Sequence, residues 1–496
     1  MSRSAVAGVS LFLVPALGLA QGGFHPDTWV WAGALAAWAA ALGIIVTDRA
    51  GALRAAWRWP AAAGALLLWT LASALWSAEP QQSLLEARRT VVYAAVVLAL
   101  IVLARSHATW TVIAATHLAI SALLAYALLR YLLESRRYDT FEGFTLSQPL
   151  GYANAVGILA AMGVLLALAP MLDGRSTRAR AFGGATVPPL ALALTFSGSD
   201  ASWLALGLGI GAVAILAPRP KLVARTAALL AVSSAPLVWL GHHSQYATPS
   251  SARIGGPTLA VVAACAAAVA AIAAAVGCRP MSSPRAAGRS SAIAAASALA
   301  VVIGAAAAIA LGGSTQPRSS YYHVAWHEFL AHPLLGSGAG TFGRYWVRSG
   351  LIASQGGALD AHSLYLETLA ELGLVGLLLL GAFLLYPLRR VVGSRFTPGV
   401  PAAAGAAVAF LIHAGLDWDW ELPAVVVAGV ACLAAVLLGA PVERARPLRW
   451  PARAAALSFA VALGLGAIAG TASSAEPAAA ALNDEAPQSG ASSDLT

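Results

Sequence analysis

ANAVGILAAMGVLLALAP, residues 153–170, contains no charge, and its one strongly polar side chain, Asn154, stands near its start. As a helix rising 1.5 Å per residue, such a run is about as long as a bilayer's hydrocarbon core is thick, roughly 30 Å. Comparable runs recur along the chain, centred near residues 12, 38, 69, 97, 121, 161, 189, 208, 231, 266, 301, 376, 408, 430 and 461. The 496 residues are 59% hydrophobic and only 10% charged, with a mean hydropathy of +0.75. A helix satisfies its own backbone hydrogen bonds in lipid, whereas an open sheet edge cannot. The reading is an all-α, polytopic transmembrane bundle of about 12–15 spans, with one large extracytoplasmic loop carrying short amphipathic helices. The first run, Ala5 to Ala20, ends like a signal peptide, but the spans that follow read it as a retained helix.

The formal charge of +9 points to the membrane and not to nucleic acid, because the cations lie in short loops on one side. With the N-terminus inside, alternate loops carry Arg49/Arg54/Arg58, Arg175/Arg178/Arg180, Arg219/Lys221/Arg225, Arg279/Arg285/Arg289, Arg389/Arg390/Arg395 and Arg444/Arg446/Arg449/Arg453. Most carboxylates fall on the other face. This is the pattern of an inner or plasma membrane protein with its N-terminus cytoplasmic and its active face extracytoplasmic. The three cysteines lie in or beside apolar runs, which argues against a disulfide framework or a cysteine zinc site. The expected division is an N-terminal transmembrane bundle (1–312), an extracytoplasmic loop (313–361), C-terminal transmembrane helices (362–471) and a disordered tail (472–496).

Chemistry gathers between Arg318 and Gly376. A helix through Ala331 carries Tyr322, Trp326, Phe329 and Leu330 on one side, suited to lying on a bilayer surface, and stops before Pro333. His323 and His327 are four apart, but His327 and His332 are five apart, so a zincin-type metal site is not expected. Gly338 to Gly343 spells GxGxxG without a preceding strand; it reads as a glycine-rich turn that packs closely, not as a dinucleotide site. Asp360 is the expected N-cap of the next span. That places His362 in the first helical turn, where the helix dipole would keep it neutral and able to accept a proton. Ser363, Glu367 and Glu371 share one stripe of that helix, and carboxylates inside a span are functional by default. Farther on, Leu411 to Pro423 sets Asp417, Asp419 and Glu421 among Trp418 and Trp420, which read equally as interfacial anchors or as a sugar grip.

These residues resemble the O-antigen ligase-like superfamily of bacterial membrane glycan ligases and polymerases. The carriers are Arg318, HPLLGSGAGTF (332–342), DAHSLYLETLAELGLVG (360–376) and, upstream, QPLGYAN (148–154). The resemblance is densest over residues 145–210 and 315–425. It implies transfer of a glycan from an undecaprenyl-diphosphate carrier to a glycan or lipid acceptor, with inversion, at the outer face of the cytoplasmic membrane. It implies neither nucleotide nor metal. His362 would be the general base, with Glu371 from the family's Glu-x-Gly as the second candidate catalytic residue. Arg318 would bind the diphosphate, assisted by Arg344, Arg136 or Arg137, and Asp417, Trp418 and Trp420 would hold the acceptor glycan. The family often has Ser-Arg at the outer end of a middle span. Here residues 195–203 read TFSGSDASW, so another outward arginine substitutes, the donor is held differently, or the chain is inactive.

Two other classes compete: a transporter or flippase of lipid-linked glycan, and a catalytically inactive envelope scaffold. The first needs an internal polar pathway, whereas the ionisable groups here crowd the outer edge. The missing middle arginine would favour the second. Ligase and polymerase are not separable from sequence.

Overall fold

The computed structural model describes residues 5–46, 51–104, 108–134, 142–174, 176–244, 255–277, 318–351, 357–440 and 449–468. Helices follow one another throughout. The first half holds α1 (Ala5–Leu19), α2 (Pro26–Val46), α3 (Gly51–Ala56), α4 (Arg58–Ser73), α5 (Pro80–Leu103), α6 (Ala108–Leu133), α7 (Ala153–Asp173), α8 (Thr177–Ser197), α9 (Asp200–Leu216), α10 (Pro220–His242) and α11 (Gly256–Gly277). The second holds α12 (Arg318–Ala331), α13 (Phe342–Arg348), α14 (Leu364–Leu388), α15 (Val391–Ser394), α16 (Val400–Ala414), α17 (Pro423–Leu438) and α18 (Trp450–Ile468). There is no strand among the described residues. Every apolar run proposed from sequence falls on a helix except the one centred at 301, which lies outside the described residues, as does the tail after residue 468.

Seven of these helices are long and apolar enough to cross a membrane: α2, α6, α7, α10, α11, α14 and α18. Four shorter apolar helices, α1, α9, α16 and α17, pack among them. Burial ranks the helices clearly. α7 is 94% buried over its span-length window, against 22% for α11 and for α18. α7 and α17 therefore form the core, and α10, α11 and α18 face outward. Small residues permit this density. A Cβ on Gly209 would lie 2.9 Å from Gly405 O, and one on Gly405 would lie 2.7 Å from Gly209 O, so α9 and α16 cross backbone to backbone.

The central helices are also short. At 1.5 Å per residue, α16 and α17 are about 22–24 Å long, less than the roughly 30 Å of a hydrocarbon core. The connection between them, residues 415–422, thus lies sunk within one end of the bundle. The connections α4–α5, α6–α7 and α8–α9 gather at that end with α12 and the start of α14.

α14 breaks at Gly373 (φ 67°, ψ −168°), two residues beyond Glu371. A break frees backbone N–H groups, which must find acceptors when buried. Leu374 N–H donates to Pro333 O (3.0 Å) and Val375 N–H to Leu334 O (3.4 Å), so the chain after α12 docks into the gap. Contact there is backbone on backbone: a Cβ on Gly336 would sit 2.1 Å from Glu371 O, and one on Gly373 would sit 2.3 Å from Leu334 O. Both glycines have positive φ as well. Gly336→Ala and Gly373→Ala should each cost about 2 kcal/mol or more, read as a lower unfolding midpoint in nanodiscs. Gly381→Ala, on the same helix with open space around it, should stay within about 1 kcal/mol of wild type.

Candidate functional site

His362 stands just before α14, whose N-cap is Ser363 and not Asp360. This corrects the sequence expectation of an Asp360 cap with His362 in the first helical turn. His362 has φ +51°, a left-handed conformation uncommon outside glycine, and two carboxylates hold it there. Asp360 Oδ1 accepts from His362 N–H (2.9 Å), and Glu367 Oε2 accepts from Ala361 N–H (2.7 Å). Asp360 Oδ1 also lies 2.7 Å from His362 Nδ1. This contact becomes an ion pair when the ring is protonated. Tyr321 stacks on the imidazole (4.5 Å between centroids, 22°).

Burial lowers the basicity of His362. The contact and charge of Asp360, with the charge of Asp417 added, outweigh that and leave its pKa above the ordinary histidine value. The expectation of a histidine kept neutral by a helix dipole gives way to one made more basic by a carboxylate, since the ring precedes the helix.

Arg318 opens α12, one turn before Tyr321 and on the same side. Its Nη2 donates to Asp417 Oδ2 at 2.9 Å, and its Nε is buried with no partner among the described residues. Asp417 is itself fully buried. Its oxygens accept from Tyr152 O–H, from Asn154 Nδ2 (2.7 Å) and from Trp418 N–H (2.8 Å). A carboxylate so engaged is placed to fix Arg318, and it presents no free oxygen to a sugar. Trp418 packs on Tyr152 (4.3 Å) and Phe24, and Trp420 lies over the Arg89 guanidinium (5.2 Å). His362, Arg318, Asp417 and Trp418 are thus brought into one neighbourhood.

The sunk connection carries three acids, each paired with a basic side chain from a different helix. Asp417 meets Arg318 of α12. Asp419 Oδ1 lies 3.1 Å from His413 Nδ1 at the end of α16. Glu421 Oε2 lies 3.0 Å from Arg89 Nη1 of α5, and Arg89 also pairs with Glu86 and is flanked by Trp29. On its other side His413 Nε2 is 2.9 Å from Ser202 Oγ, which donates to Ser199 Oγ (2.8 Å). Of the three basic side chains only Arg318 is appreciably accessible, at 28% side-chain exposure against 4% for Arg89 and none for His413.

Glu371 serves the glycine-rich turn. Its Oε2 accepts from Gly340 N–H (2.7 Å) and its Oε1 from Phe342 N–H (2.9 Å), at the start of α13. Its backbone oxygen accepts from Gly338 N–H (2.9 Å). From the opposite side Ala339 N–H donates to Ser73 Oγ (3.1 Å), and Ser83 Oγ donates to Ala339 O (2.7 Å). Both Glu371 oxygens hold backbone, so this side chain positions the turn. Glu328 completes the clamp, accepting from Ser337 Oγ (2.6 Å) and Thr341 Oγ1 (3.1 Å). Burial pushes the Glu328 carboxyl up to about 7, against the pull of those two hydroxyls. Arg344, on α13, faces Glu79 at 3.8 Å and is 43% exposed.

Arg136 and Arg137 lie outside the described residues. His323 and His327 touch edge to face on the exposed side of α12. No cluster of three or more potential metal ligands occurs among the described residues. Sequence reasoning missed Tyr152, Asn154, Glu328, Arg89 and the His413–Asp419 pair. The first two lay inside a quoted motif. Arg89 meets Glu421 across 332 residues, beyond what spacing reveals. The partners of Glu328 and of His413 are near in sequence, but the turns that bring them together carry no spacing signature.

Residues 185–381 match the family model described as O-antigen ligase. That segment runs from α8 into α14 and contains Arg318, Arg344, His362, Glu367 and Glu371. The match supports the O-antigen ligase-like superfamily, and with it glycan transfer of ligase or polymerase type by a multi-pass membrane protein. No curated protein matches the chain.

The two buried glutamates of α14 hold separate loops, and exchange should separate them. Glu371→Gln should raise deuterium uptake at Gly340 and Phe342 while leaving Ala361 protected. Glu367→Gln should do the reverse. Mass-spectrometric exchange in nanodiscs reads both, and uptake that rises equally in both loops would mean they open as one unit.

Proposed function

We propose that the chain is an inverting glycan ligase or polymerase. It transfers a glycan from an undecaprenyl-diphosphate carrier to an acceptor hydroxyl at the outer face of the cytoplasmic membrane. The observation that carries this reading is the juxtaposition of two prepared groups at one end of an apolar bundle: a histidine made more basic by Asp360, and an accessible arginine fixed by Asp417.

His362 takes the proton of the acceptor hydroxyl as its oxygen attacks the anomeric carbon of the donor. The bond from that carbon to the diphosphate oxygen breaks, and its electron pair stays with the departing diphosphate. Attack opposite the leaving group inverts the anomeric centre. Arg318 binds the diphosphate, where negative charge grows in the transition state, and a guanidinium held by a buried carboxylate needs little reorganisation to do so. Arg344, on the turn that Glu371 holds, is the described candidate for the second cation; Arg136 and Arg137 remain candidates too. Trp418, and Trp420 at the Arg89 cluster, offer ring faces to the glycan. Asp417 and Glu371 are positioning residues: they hold Arg318 and the glycine-rich turn. Among the described residues, Arg178 at the start of α8, Arg219 before α10, Arg389 after α14 and Arg395 before α16 stand at the helix ends away from His362, which supports an extracytoplasmic active face.

His362→Ala should reproduce the gene deletion: surface glycan is lost or shortened while lipid-linked donor accumulates, read by glycan profile at matched expression. Unchanged glycan in that variant, where deletion removes it, would exclude His362 as base. The pH dependence follows from Asp360. A base works only when unprotonated, so activity should rise with pH through the His362 pKa, with a midpoint above about 6.5. Asp360→Asn removes the raising partner and leaves burial, so the midpoint should move to lower pH and the plateau rate should fall.

A further inference from the structure

Beneath the glycine-rich turn, between α4, α5, α14 and α17, lies a cavity of about 120 Å³, many times the roughly 10–15 Å³ that one water needs. None of the residues named above as diphosphate ligands lines it. Its lower walls are hydrocarbon, with Leu66, Leu380, Phe383 and Phe410 among them. Its upper end is bordered by Glu86, Glu367, Glu371, Thr368 and Trp420, and by Ala339 of the turn itself.

The polar end has a definite character. Arg89, the nearby cation, is closed off by Glu86 and Glu421 and sits between the rings of Trp29 and Trp420. The two Glu371 oxygens are taken by backbone N–H groups, and Glu367 gives one oxygen to Ala361. Glu367, with one oxygen not taken by Ala361, and Thr368 both border the cavity. Trp420 Nε1 is buried with no acceptor among the described residues. The end thus offers acceptors and one unused donor, with no unpaired cation among the described residues. A diphosphate would meet carboxylates there without a free cation, an arrangement that costs energy in a low-dielectric recess. An uncharged hydroxyl-bearing group would find acceptors for its protons and the indole N–H for its oxygen.

We infer that this cavity seats the acceptor: an amphiphile whose apolar chain lies between α4 and α14 and whose uncharged, hydroxylated head reaches the Glu367–Trp420 end. The inference rests on the transfer reading above and names the substrate class on its acceptor side. It divides the site by charge. The donor diphosphate is held by Arg318 on the accessible side of His362. The acceptor enters through a recess whose rim offers an anion no free cation. Glu367 joins the two halves, since it borders the recess and holds Ala361, the residue before His362.

Two photoactivatable probes test this on the full chain in nanodiscs: an alkyl glucoside and an alkyl phosphate of equal chain length, each with a mid-chain diazirine. Labelled peptides are mapped by mass spectrometry. The glucoside should label α4 near Ala63 to Leu67 and α14 near Leu380 to Leu384 at least about tenfold more than the phosphate, a difference of about 1.4 kcal/mol. Unlabelled glucoside should compete, and Ala63→Phe, which fills the cavity, should abolish the labelling. Equal or stronger labelling by the phosphate overturns the proposal. So does glucoside label spread over α10 and α11 that resists competition. Competition on the wild-type protein keeps the test valid if the phenylalanine variant does not fold. Should glucoside labelling fail while His362→Ala still eliminates surface glycan, the acceptor assignment falls and the transfer reading stands.

Discussion

Charge inside an apolar bundle must be neutralised by the bundle itself, and this constraint arranges the whole end of the molecule that carries the candidate site. Asp417 and Asp419 are fully buried and Glu421 largely so, and each meets a basic side chain from a different helix: Arg318 from α12, His413 from α16 and Arg89 from α5. The six residues 417–422 thereby tie together elements more than three hundred residues apart in sequence. Removing one partner of such a pair leaves an uncompensated buried charge, which is more damaging than never having had the pair. The pairing also leaves Arg318 as the one basic side chain of the three with appreciable exposure. A guanidinium that is fixed on one side and accessible on the other suits an anionic ligand.

The same logic operates at short range along α14. Glu367 and Glu371 are one helical turn apart and look inward together, yet they accept from different loops. One sets the backbone before His362; the other sets the glycine turn before α13. Because both loops hang from a single turn of one helix, the spacing between His362 and Arg344 is tied to the geometry of that turn. The helix breaks at Gly373 directly afterwards, and the carbonyls of Pro333 and Leu334 take the freed N–H groups. The break lets the loop approach the helix closely enough for Glu371 to reach it.

Much of the fold was legible because lipid imposes a simple rule: long uncharged runs become helices, and fourteen of the fifteen proposed centres fall on one. The glycine-rich turn was legible from the absence of a strand before GxGxxG. The local chemistry of Asp360 was not. A short acid just before a helix reads as a cap, but here the chain turns left-handed at His362, so Ser363 takes the cap position and Asp360 faces the ring. Glu371 drew attention as an intramembrane carboxylate, correctly in that it is buried and engaged. Its partners are backbone amides of the glycine turn, and no side-chain spacing announces those. Asp417 among tryptophans looked like part of a sugar grip; its inward orientation depends on Tyr152 and Asn154, far away in sequence. The Arg89–Glu421 pairing was invisible for the same reason, and the His413–Asp419 contact because the turn after α16 that closes it carries no spacing signature.

The shortness of α16 and α17 has one more consequence. Because neighbouring helices shield both from lipid, they can fall short of the bilayer thickness without thinning the membrane around them. The shortfall instead becomes a recess at one end of the bundle, floored by residues 415–422 and roofed by α12 and the turn that follows it. Field lines from a charge at the bottom of such a recess cannot spread into the hydrocarbon around it and are channelled toward the opening. Arg318, the accessible cation of the floor's three ion pairs, would then be felt farther out along the opening than the same side chain on a flat surface, and less sharply attenuated by salt.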